Sequence, residues 1–159
     1  MTADERLLLR QTVATLAYRS RRVLADAPVS FSQFRPAESS RAAGEVLAHM
    51  GDLFDWALSI ADGQQAWRNA EPLPWNDEVA RFYATLKRFD DRLADSNELK
   101  ASCAGLFQGP VADALTHLGQ LSMMRGMAGA PTKGENYFQA EIVAGRIDPE
   151  AQSAPRREF

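Results

Sequence analysis

Apolar residues recur every three or four positions along four stretches of this chain, and no stretch shows the strict alternation of a half-buried strand. The first stretch runs from about Asp4 to Ala25, with Leu9, Val13, Leu16, Val23 and Leu24 on its apolar side. Arg19, Arg21 and Arg22 near its end suit the negative pole of a helix, and Pro28 lies just beyond. The second is expected to start near Ser39 or Ser40, either of which can cap a helix, and to end by Gly63. It turns Val46, Met50, Leu53, Ala57 and Ile60 inward. The third opens on Asn76 as a cap, with Asp77 and Glu78 in its first turn, and carries Val79, Phe82, Leu86, Phe89 and Leu93. The fourth starts at Gly109-Pro110, with proline in the favoured first position. Its stripe is Val111, Ala114, Leu118, Leu121 and Arg125, and Gly129-Ala130-Pro131 closes it.

Between these stretches, residues 28–38 read as a loop whose Phe31 and Phe34 tuck against the bundle. A second loop carries Trp67, Pro72, Pro74 and Trp75. The pattern therefore predicts an all-α protein, a four-helix bundle whose loops of about ten residues leave the winding open. Residues 1–150 are expected to form the single domain. Within them, Thr132 to Ile142 reads as an ordered connector with a short C-terminal helical turn, and residues 151–159 read as a disordered tail.

The chain has 159 residues, 45% hydrophobic and 25% charged, an ordinary globular composition that supports one domain with its own core. A net charge of -3 gives no basic footprint, so nucleic acid is not an expected partner. No apolar run approaches the roughly 20 residues that span a bilayer, so no membrane role is expected. The charged start Met1-Thr2-Ala3-Asp4-Glu5-Arg6 does not read as a secretory signal. Cys103 stands alone, in what reads as a loop, and a cytoplasmic location is the simple inference.

Two histidines are all the chain has, and both fall on inward-looking stripes. His49 follows Glu45 by four residues, and His117 follows Asp113 by four. That spacing sets each carboxylate one turn from its imidazole on the same helix face. If the second and fourth helices meet, His49, Asp113 and His117 offer two imidazoles and a carboxylate around one point, a set that binds a divalent transition metal with positions left open. The same residues also fit a plainer arrangement, core histidines hydrogen-bonded to neighbouring carboxylates. Glu45 is open to three roles: fourth ligand, acceptor behind an imidazole, or solvated residue of the first turn. Gln120, one turn past His117, can orient a ligand or a water. Glu135, Asn136 and Tyr137 place an acid, an amide and a phenol together after the fourth helix, and would line the pocket if the connector folds back over the bundle mouth. The tryptophans, Trp56, Trp67 and Trp75, read as packing anchors rather than substrate platforms. Met123, Met124 and Met127 read as core or as a dimer seam.

The histidine on the second helix, the run His117-Leu118-Gly119-Gln120-Leu121 and the following Arg125 together resemble the DinB-like (DinB/YfiT) superfamily over about residues 4–130. The resemblance implies a four-helix bundle, often dimeric, with a metal held by one histidine of helix two and two of helix four. On that pattern His49 and His117 take two ligand positions, and Asp113 stands where most members carry histidine. Leu118 stands where arginine or histidine is common. The expected cofactor is zinc, nickel or iron. Characterised relatives imply a metal-dependent thiol S-transferase using a low-molecular-weight thiol, or a hydrolase, acting on a small molecule. The alternative is a non-catalytic, dimeric binding or stress-response bundle whose metal is structural or absent.

Overall fold

The apolar stripes become helices close to their expected bounds. The computed structural model describes residues 3–159 and is all-helical apart from its connections. Helix α1 spans Ala3–Leu24, α2 spans Ala43–Ala61 and α3 spans Trp75–Ala94. The fourth long helix is built in three pieces: α4 (Cys103–Leu106), a π turn (Phe107–Val111) and α5 (Ala112–Met127).

Helix α1 packs on α3 and α5, and α2 packs on α3 and α5, so α1 faces α2 across one diagonal and α3 faces α5 across the other. Consecutive long helices are thus neighbours only at the α2–α3 step. The loop from Ala25 to Ala42 crosses the bundle end, and buried Phe31 anchors it edge-on against Trp75, 5.2 Å between centroids. The core is continuous through Leu16, Leu47, Met50, Phe54, Phe82, Leu86, Phe89 and Leu121.

Three starts differ from the expected ones. Helix α2 begins at Ala43, not at a serine cap: Ser40 closes a turn onto Ala37, and the Glu45 carboxylate reaches back to accept from the Ala42 N–H at 2.6 Å. Helix α3 begins at Trp75, one residue before the expected cap Asn76; the buried Glu78 carboxylate accepts from the Leu73 N–H at 2.8 Å and does the capping instead. The fourth helix begins at Cys103, six residues before Gly109-Pro110, capped by Ser102 Oγ accepting from the Gly105 N–H. Proline can therefore sit inside that helix because of the π turn. In a plain α-helix the Pro110 ring would meet the Leu106 carbonyl one turn back, and the wider turn makes room.

The expected C-terminal helical turn is replaced by loops and one 3-10 turn, Pro149–Ala151, and the tail expected to be disordered is pinned. The Asn136 N–H donates to Arg157 O at 2.9 Å and the Phe159 N–H to Gly134 O at 3.1 Å, two bonds that frame an antiparallel bridge between Glu135 and Glu158. Helix α1 holds this strap along its length. Gln11 donates to Ile142 O, Arg21 to the carbonyls of Gln152 and Ser153, and Arg22 to Lys133 O. A polar sequence gave no periodic sign of this, because the attachments are mostly side chain to backbone.

Glu135 is the fastener. Its buried carboxylate accepts from Tyr18 Oη at 2.7 Å and from Arg22 at 3.1 Å. Burial and this charged neighbour push the Tyr18 phenol up to about 12. Glu135→Ala leaves a buried hydroxyl without its acceptor and is expected to cost about 2–3 kcal/mol. It should also release the strap, read as faster limited proteolysis after residue 135. Unchanged cleavage there would mean that the backbone bonds alone hold the segment.

Candidate metal centre

Helices α2 and α5 are neighbours, and each turns its histidine toward the groove between them. His49 Nε2 lies 3.6 Å from Asp113 Oδ2, and His117 Nε2 lies 3.5 Å from Asp113 Oδ1. The two imidazoles meet edge to face, 4.8 Å between centroids. One donor atom from each of the three residues lies within 4.8 Å of the others. The sequence spacing across α5 and the packing of α5 on α2 are sufficient to bring them together.

The distances carry chemical meaning. Separations of 3.5 and 3.6 Å are at or beyond the limit of a hydrogen bond. Two ligand atoms about 2.1 Å from a tetrahedral ion stand about 3.4 Å apart. The two histidine–carboxylate separations are close to that spacing, and the group of two imidazoles and one carboxylate, whose donor atoms all lie within 4.8 Å of one another, could hold a divalent metal ion.

The surroundings prepare the donors. His117 Nδ1 pairs with Gln120 Oε1 at 2.8 Å; an N–H donated there leaves Nε2 as the bare lone pair facing Asp113. Burial, then the positive charge of Arg41 and the neighbouring His117, lower the His49 pKa against the pull of Asp113, which favours the neutral, ligating imidazole. The site is open on one side, since the Asp113 side chain is 48% exposed while both histidines are largely covered. Trp67, from the loop between α2 and α3, covers His49 at 5.5 Å between ring centroids, and Trp56 meets Trp67 nearly at right angles at 5.7 Å.

Other expected participants lie elsewhere. Glu45 points to the start of α2, where it caps Ala42 and pairs with Arg35 at 3.0 Å, so it is neither a ligand nor a prop for His49. Glu135 and Tyr137 pack against α1. Tyr137 stacks edge-on to Tyr18 and lies under the Arg19 guanidinium at 4.1 Å. Asn136 pairs with the tail and caps its own turn by accepting from the Phe138 N–H. The connector thus folds along α1 rather than over the histidines. Cys103 is helical and buried, and that burial pushes its thiol pKa up, away from reactivity.

Arg41, whose charge acts on His49, escaped the sequence reading, since no pattern before α2 marks it. Trp67 was read there as a packing anchor, and its ring does lie on His49. No protein-family model, no curated protein and no solved structure matches this chain.

Proposed function

We propose that this chain is a DinB-like metalloprotein that holds one divalent transition metal on His49, Asp113 and His117. We further propose that it uses the open side of that site for thiol transfer or hydrolysis on a small molecule. The observation that carries the reading is the donor spacing: two imidazole nitrogens, each about one ligand–ligand distance from a different oxygen of the same carboxylate.

Asp113 supplies the negative charge that a cation requires, and Gln120 fixes the tautomer and rotation of His117. Glu45 is committed to capping, and among the described residues the His–Asp group has three members. A site with three protein ligands and an exposed fourth side is the arrangement of a catalytic rather than a closed structural centre. When bound, a divalent metal supplies Lewis acidity that lowers the pKa of a thiol or water at the open position.

Elemental mass spectrometry on tag-free protein tests this directly. About one equivalent of zinc, nickel or iron is expected in the wild type after reconstitution, and none in His117→Ala. Metal at a hundredfold excess over its Kd should stabilise the wild type by about 2.7 kcal/mol and leave the variant unmoved. Acidification should release it as the imidazoles take up protons. No metal in the reconstituted wild type would overturn the reading and leave the histidines as a polar pair in the bundle.

A further inference from the structure

The loop carrying Trp67 is held more firmly than a connection of its length requires. On one side Ser59 Oγ accepts from the Ala66 N–H at 2.9 Å. On the other, Asp52 accepts from the Ala70 N–H at 3.2 Å and Glu78 from the Leu73 N–H at 2.8 Å. The backbone enters through two left-handed residues, Gly63 at φ 82° and Gln65 at φ 50°. The second is a conformation that a side-chain-bearing residue adopts only when its surroundings impose it. The indole itself is tethered, Nε1 donating to Asn69 Oδ1 at 3.1 Å.

All this fixing leaves Trp67 40% exposed. The other two tryptophans are more covered, and Trp67 keeps a large part of its apolar ring in solvent although both ends of its loop are anchored. One part of the ring system lies on His49 and Trp56 and the rest is left to solvent, and the same His49 faces the half-exposed carboxylate of Asp113 at 3.6 Å. A half-exposed, tethered indole thus lies directly on one of the proposed ligands.

Resting on the metal-site reading above, we propose that Trp67, backed by Trp56, forms the specificity wall of that site. The site then takes a ligand with a small anionic metal-binding head and a flat, unsaturated or aromatic body that lies against the indole. An exposed, immobilised indole gains by stacking on a flat group without paying to order itself. A saturated, compact ligand with the same head would leave that face wet.

Acetohydroxamate and benzohydroxamate test this, since they share one chelating head and differ in the flat body. Their affinities are measured by calorimetry on the full zinc-loaded chain, with zinc content checked on each sample. In the wild type, benzohydroxamate is expected to bind about tenfold more tightly than acetohydroxamate. Trp67→Ala should shrink that preference to about twofold at unchanged zinc content, and Trp67→Phe should keep most of it. The loop's backbone anchors do not involve the indole, so they survive either change. Equal affinities in the wild type, or an undiminished preference in Trp67→Ala, would overturn the wall while leaving the metal site standing. Loss of zinc in Trp67→Ala would make Trp67 a prop for His49 and also overturn it. A wild type that takes up no zinc, nickel or iron would overturn both readings together.

Discussion

Arg81→Ala is expected to destabilise the protein by about 3–5 kcal/mol, the cost of removing one partner from a buried ionic cluster. The guanidinium donates to Asp52 from one side and to Glu78 at 2.9 Å from the other, joining α2 to α3. Glu78 is 0% exposed and Asp52 is 5% exposed, so neither carboxylate can recover its solvation once the arginine is gone. Thermal unfolding should show the loss as a fall in Tm of about 10–15 °C. The same two carboxylates hold the N–H groups of Ala70 and Leu73, so their hydrogen-exchange protection should fall with it. A loss below about 1 kcal/mol would mean that the cluster is no better than a surface pair. The pairing is as much about placing the Trp67 loop as about joining two helices.

Phe54→Ala should cost a similar amount, about 3–5 kcal/mol, for a different reason. Phe54 is fully buried on α2 and meets Phe82 at 6.2 Å and Phe89 at 5.7 Å, both on α3. Truncation removes the transfer free energy of the ring, leaves a cavity that two stiff helices cannot close, and forfeits two aromatic contacts. Chemical denaturation gives the value. Phe54→Leu should recover more than half of it, because a branched aliphatic side chain refills much of the space. If Phe54→Ala instead costs under 1.5 kcal/mol, the α2–α3 face repacks freely and is not what sets the axis of the helix bearing His49.

Much of this was legible because bundle helices advertise themselves. The stripe Phe82, Leu86, Phe89, Leu93 is buried as its spacing predicts, and so are Leu9, Val13 and Leu16 on α1. The His–Asp group was legible for the same reason: position on a helix face is a local property, and two faces that meet bring their residues together. What depended on side-chain reach was not legible. Glu45 lies one turn from His49 in sequence, yet bends to its own helix start, where an unsatisfied N–H and Arg35 both attract it. The acid–amide–phenol run at 135–137 went to α1 because Tyr18 and Arg22 offered a buried acid its partners. Proline at 110 reads as a helix start in any local rule, and only the extra residue of the π turn lets the helix run through it.

That turn makes the site sensitive to chain length rather than to chemistry. A π turn carries one residue more than the α-helix on either side of it, so deleting Pro110 itself, which removes both the extra residue and the ring, would let an ordinary helix form. Everything downstream would then swing by about 100° about the helix axis relative to what precedes it. With α4 still seated through Leu106, Asp113 and His117 would leave the groove facing His49, though no ligand had been replaced. A descendant of this chain could thus lose the His49–Asp113–His117 cluster, or regain it, by the gain or loss of one codon that changes none of its three residues.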